Sequence, residues 1–222
     1  MSKKVIFSAY TDAASYNNGK RNHPNRPEHT CSAGLVHIND DIVYSFHNYN
    51  PNSTISYGEL FAIHTILTEF GSLLQGTKHK LILYTDSEYC MKSINVWHYF
   101  WIKKAKNGIW YSSSGPVPYQ SMWEEILYIL YNNKNIQVKH ISGGHLNVLD
   151  PRMISTTELG KVLKTCISRF KRNNGEDITE KEALNHIFYN NVCDQIAKEG
   201  LVRGMGGIEN DRYRKTFEKY KS

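Results

Sequence analysis

Blocks of apolar residues with distinct periods divide this chain into strands and helices. KVIFSAYTD (4–12) reads as a strand that ends in an acid. The polar, basic stretch NNGKRNHPNRPEH (17–29) reads as a loop. Strands follow at 31–38 and 42–49 around the turn NDD (39–41). In YGELFAIHTILTEF (57–70), Leu60, Ile63, Leu67 and Phe70 fall on one side of a helix. LILYTD (81–86) is almost unbroken in its apolar character, as a central parallel strand buried on both faces would be. After Ser87, the residues Cys90, Met91, Ile94 and Trp97 recur at helical spacing. SMWEEILYILYNN (121–133) predicts another helix and IQVKHIS (136–142) another strand. Three strands joined by short turns, then strands alternating with helices, predict an α/β fold with a mixed sheet.

The 222 residues suit a single domain spanning 1–222. A composition 40% hydrophobic and 22% charged is that of a globular protein and excludes a disordered chain. Cys31, Cys90, Cys166 and Cys193 are isolated, which argues against a zinc site or disulfide scaffold and suits a reducing cytoplasm. No apolar run reaches the ~18 residues of a membrane span, so no membrane partner is expected. The net charge of +6 leans towards a polyanionic partner. Abundant asparagine and tyrosine are consistent with an AT-rich genome, in a bacterium or a virus-infected cell.

Four acids stand in positions where a charge is costly. Asp86 closes the most apolar strand, where burying an ionised carboxylate is unfavourable unless it has a partner. A helix N-cap is one reading of it. Asp12 closes the first strand on the face of Ile6 and Tyr10. If those strands are neighbours, the two acids meet and repel unless a cation separates them. Glu59 opens its helix, where Ser56-x-x-Glu59 also fits a capping box. Helical spacing puts Asp194 with Ala197 and Leu201 on a packing face. Clustered carboxylates are the ligands that Mg²⁺ prefers.

The order and context of these acids resemble the ribonuclease H family of the bacterial type. YTDAAS (10–15), YGELFAIHTIL (57–67), LYTDSEYCMKSINVW (83–97) and NNVCDQIA (190–197) look like its four acidic motifs. WHYFWIKKAKNGIW (97–110) is similar to its basic protrusion, PVPYQSMWEEILYIL to the helix that follows, and VKHISGGH to its histidine-bearing loop. The resemblance covers nearly all of 4–145 and resumes near 190. It implies a mixed five-stranded sheet, three antiparallel strands then parallel ones, flanked by helices. An extra helical insertion at 146–184 precedes the last core helix, and a basic tail occupies 201–222.

What the resemblance implies is hydrolysis of the RNA strand of an RNA–DNA hybrid, leaving a 5′ phosphate, by a monomeric enzyme. Asp12, Glu59, Asp86 and Asp194 would hold two Mg²⁺ ions, with Mn²⁺ able to substitute. One metal would activate water and the other stabilise the departing oxygen. His145 matches the family histidine. The tandem glycine leaves that register open by one residue, and His186 is an alternative. Lys103, Lys104 and Lys106, interleaved with Trp97, Tyr99, Phe100, Trp101 and Trp110, suit a phosphate-tracking surface, although a core of aromatics with a solvated basic face fits equally.

Three features depart from the family pattern. Ala13 replaces the usual glycine after the first acid, and ISYG (55–58) replaces asparagines that read 2′-hydroxyls. Asn52 and Asn190 compensate in part. The insertion carries ELGKVLKTCISRF (158–170), with an apolar stripe from Leu159 to Phe170 and a polar side bearing Lys161, Lys164 and Arg169. Its helices would open at capping boxes Ser155-x-x-Glu158 and Thr179-x-x-Glu182. RNA is told from DNA through its 2′-OH, so a DNA nuclease of the same fold, resolvase- or exonuclease-like, is the alternative reading. A non-catalytic binding module is the third, disfavoured by the four acids.

Overall fold

The first three strands pair as an antiparallel meander: β1 (Ile6–Tyr16), β2 (His29–Ile38) and β3 (Asp41–Asn50). A computed structural model describes residues 4–16, 28–142 and 150–205 of the chain. Asn39 and Asp40 take left-handed φ values of 49° and 72°, the primed-turn geometry that suits a tight hairpin between twisted strands. Next come α1 (Ile55–Leu74), β4 (Lys80–Thr85) and α2 (Glu88–Lys92). A π-helical turn (Ser93–Trp97) links α2 to α3 (His98–Lys103). β5 (Tyr111–Ser112) and β6 (Gly115–Pro116) form a small hairpin before α4 (Gln120–Asn132) and β7 (Ile136–His140). After a 3-10 turn (Pro151–Met153) the chain ends its described part in α5 (Thr156–Asn174) and α6 (Glu180–Gly204).

β4 and β7 add to the free side of β1 in parallel, giving the order β3-β2-β1-β4-β7. The near-continuous apolar run of β4 is explained by its position. Leu81 and Leu83 pack into a core with Leu60, Ile63, Leu67 and Trp123 on one face. Tyr84 and Ile82 join Tyr10, Leu35, Phe170 and Cys193 on the other. α1 and α4 cover the first face, α6 and the end of α5 the second. α5 also packs on α6 through Cys166, Ala183 and Ile187, so the insertion is a helical hairpin whose second arm is the start of α6.

Several boundaries differ from the sequence reading. β1 runs on past Asp12 to Tyr16, so this acid lies within the strand rather than at its end. The cap of α1 is Thr54, whose side chain accepts from the Tyr57 N–H at 3.3 Å, so the Ser56–Glu59 capping box does not form. Ser87, not Asp86, caps α2. The Thr179–Glu182 box forms with both halves, and Ser155 accepts from the Glu158 N–H. α6 extends to Gly204, so the first residues assigned to the basic tail are helical. Residues 206–222 of that tail lie outside the described residues, and among those described no helix is long and apolar enough to cross a membrane.

Candidate active site

Strand register alone brings two acids together. β1 and β4 pair in parallel with Thr11 opposite Thr85, so Asp12 and Asp86 are the next residues on adjacent chains. Glu59 arrives from α1 because the first turn of that helix lies almost on β1. A Cβ built on Gly58 would sit 2.9 Å from the Cβ of Ala13. Oxygen atoms of Asp12, Glu59 and Asp86 all lie within 4.8 Å of one another. Ligand oxygens of an octahedral Mg²⁺ are about 2.9 Å apart when adjacent and about 4.2 Å when opposite, so the three carboxylates would draw together around an ion.

The electrostatics suit a bound cation. Asp12 is only 7% exposed, and burial followed by the charges of Asp86, Glu59 and Asp194 pushes its carboxyl well above the usual range. Burial and Asp86 do the same to Glu59. The Cys193 thiol, buried beside these anions, is pushed up as well. Glu59 Oε2 is buried with no hydrogen-bond partner among the described residues, and the Ala13 backbone N–H is the one group that acts on this carboxyl against burial. Asp12 Oδ1 accepts from the Ala13 N–H at 2.7 Å, which leaves its other oxygen for a ligand. Acceptor-only groups that repel one another, one of them orphaned, fit a divalent cation.

Asp194 stands at the rim. α6 is tied to β1 by Cys193 Sγ, 3.4 Å from the Tyr10 carbonyl. The next residue, Asp194, is 25% exposed at its side chain and pairs with Lys198 Nζ at 2.6 Å. It raises the pKa of both Asp12 and Glu59, yet it is not one of the three acids that converge. The sequence reading above does not include Lys198, although its i, i+4 spacing from Asp194 is the signal that could find it.

Residues 3–152 match the family described as RNase H. The chain belongs to the ribonuclease H family. It is 28% identical over 109 residues to ribonuclease H of Thermosynechococcus vestitus, a stretch covering 49% of this chain and 64% of that relative's length. Among solved structures it resembles the PFV RNase H domain, with TM-score 0.56, 14% identity, and 89% and 95% of the two chains covered. It also resembles LC9-RNase H1, a type 1 RNase H with the type 2 active-site motif, at TM-score 0.51 and 15% identity, covering 85% and 87%. At these identities the structural likeness speaks for the ribonuclease H fold.

Other residues expected from the ribonuclease H resemblance divide. His145 lies outside the described residues. His186 belongs to an aromatic box: its Nδ1 is 2.8 Å from the Tyr10 hydroxyl, its ring stacks on Phe170, and burial takes its pKa down to about 4. That is a packed core histidine. Lys103, Lys104 and Lys106 are exposed, and Lys104 borders a cleft of about 440 Å³ with Trp97, Phe100 and Ser112–Ser114. Asn52 is exposed in the turn before α1.

Two expected surface contacts need correction. Trp101 is 6% exposed and packs against Trp97 and Trp123, so its ring belongs to the core. Trp97, Tyr99 and Phe100 are the exposed aromatics there. Asn190 is 3% exposed on the packed face of α6, with its side-chain oxygen unpartnered among the described residues. The basic face of α5 is also partly spoken for, since Arg169 donates to Ser142 Oγ at 3.1 Å.

Proposed function

We propose that this chain is a metal-dependent endonuclease that hydrolyses the RNA strand of RNA–DNA hybrids. The observation that carries the reading is the convergence of Asp12, Glu59 and Asp86 around an unpartnered Glu59 oxygen. Asp12, Glu59 and Asp86 would hold Mg²⁺ or Mn²⁺, and Asp194 would join them by exchanging Lys198 for a second ion. Two bound cations supply activation of a water and stabilisation of the leaving 3′ oxygen, which leaves a 5′ phosphate.

The chain's own residues do the rest. The Ala13 N–H keeps one Asp12 oxygen engaged and so fixes which oxygen faces the ligand. The buried bases of Asp12 and Glu59 keep bulk water from screening the charges. Lys103, Lys104 and Lys106 supply sequence-independent attraction to phosphates, and the neighbouring cleft offers Trp97 and Phe100 as stacking surfaces.

A second reading keeps the chemistry and relaxes the substrate. Burial of Asn190 removes one of the two residues available to replace the family's 2′-OH readers, which favours some cutting of DNA. Cleavage assays on hybrid, duplex RNA, duplex DNA and single strands test both readings. Cutting confined to the RNA of the hybrid supports the first, and comparable cutting of duplex DNA supports the second.

A further inference from the structure

The C-terminal end of α5 is fastened to β7 through side chains. Asn174 Oδ1 accepts from the His140 backbone N–H at 2.9 Å, and Asn174 Nδ2 donates to the His140 carbonyl at 2.7 Å. One side-chain amide thus completes the strand edge as a neighbouring strand would. Lys139 pairs with Glu176 at 2.6 Å, and Arg169 reaches Ser142. On the other side of β7, His140 lies opposite Thr85, and the Ile141 N–H donates to the Thr85 carbonyl at 2.9 Å. The residue after Thr85 is Asp86. The insertion is therefore anchored to the strand beside the one that presents a site acid.

The ring of His140 is held in one protonation form. Asn173 Oδ1 accepts from Arg172 Nε at 3.4 Å, which leaves Nδ2 to face His140 Nδ1 at 2.8 Å. An amide N–H can only donate, so Nδ1 accepts and the proton of the neutral ring sits on Nε2. The residue is 5% exposed, and burial favours the neutral ring. Nε2 is buried and makes no full hydrogen bond among the described residues, and the Asp86 backbone, ahead of the Asp86 charge, is the first of the groups that act on the ring against burial.

We propose that the inserted helix is a positioning element for the acidic site, in which Asn173 and Asn174 fix His140 so that its Nε2–H steadies the main chain at Asp86 and thereby sets that residue as a metal ligand. His140, Asn173 and Asn174 are positioning residues, acting through Asp86. The inference rests on the metal-dependent reading above. Outer-sphere partners of metal ligands typically contribute about 10–100-fold in metal affinity.

The test uses the full chain, labelled with ¹⁵N in histidine, and Mn²⁺ alone as the probe. In metal-free protein at neutral pH, the His140 nitrogen shifts should report the Nε2–H form. Asn173→Asp has the same shape but puts an acceptor against Nδ1, and should move the proton there. Asn173→Leu removes the donor without adding charge. Mn²⁺ binding, followed by electron paramagnetic resonance, should weaken about tenfold in both variants, although the added anion of Asn173→Asp alone would tighten it. Asp86→Asn should abolish binding. Wild-type His140 in the Nδ1–H form, or unchanged Mn²⁺ affinity in both Asn173 variants, overturns the positioning role. Absence of Mn²⁺ binding by the wild type would instead defeat the metal reading beneath it.

Discussion

Gly58 and Ala13 meet across the junction of α1 and β1 so closely that a Cβ on Gly58 would lie 2.9 Å from that of Ala13. This approach carries Glu59 to Asp12. Position 13 bears a methyl group, and position 58 bears none. Gly58→Ala should push the first turn of α1 outward, cost about 1–3 kcal/mol as an overpacked contact, and raise the Mg²⁺ concentration needed for half-maximal cleavage. Adding Ala13→Gly should restore both stability and Mg²⁺ dependence. A double variant no better than Gly58→Ala would show that the contact does not set the site.

Repulsion among the acids makes metal-free stability pH-dependent. Asp12 and Glu59 have raised pKa values in the folded protein, so the unfolded chain releases these protons first. Their favourable contribution is complete below the unfolded value near 4 and is lost as pH rises through the folded values. Asp12→Asn removes one of these charges. In EDTA its melting temperature should exceed that of wild type by a margin that grows with pH, and Mg²⁺ should narrow the margin. A gap that shrinks with rising pH contradicts the assignment.

His186 predicts the opposite slope. Its folded pKa of about 4 lies below the unfolded value of about 6.5, so the stability it confers is present above 6.5 and lost as pH falls towards 4. The full loss is roughly 3 kcal/mol. Urea unfolding of His186→Gln, which does not titrate, should lack this component between pH 6.5 and 4.5. An equal loss of stability in the variant would assign the acid sensitivity elsewhere.

Much of this site is legible in the sequence. A strand as apolar as β4 belongs in the middle of a sheet, and an acid after it needs a partner. The period-two pattern also puts Asp12 on the face of Tyr10. What escapes depends on tertiary context. Thr54 and Ser56 are both good caps, and the packing of Gly58 on β1 decides between them. The helical spacing from Cys90 to Trp97 gives no sign of the π-helical turn that joins α2 to α3. Asn173 and Asn174 read as polar residues after an amphipathic helix, because pairing with a distant strand edge leaves no periodic trace.

The exposed lysines should govern binding rather than chemistry. Replacing Lys103, Lys104 and Lys106 by alanine should weaken hybrid binding and lower the log–log salt slope by roughly one for each phosphate no longer neutralised. Single-turnover cleavage at saturation should change little. An unchanged slope would make these lysines a solvated face.

Single-turnover cleavage of an end-labelled RNA–DNA hybrid tests the central claim most directly, with wild type and Asp86→Asn compared in Mg²⁺ and in EDTA. The account predicts that wild type in Mg²⁺ cuts the RNA strand to products with 5′ phosphates. It predicts that EDTA and Asp86→Asn each reduce cutting to background, since a neutral amide does not replace an anionic ligand. Undiminished cutting in EDTA, or by Asp86→Asn, would contradict it.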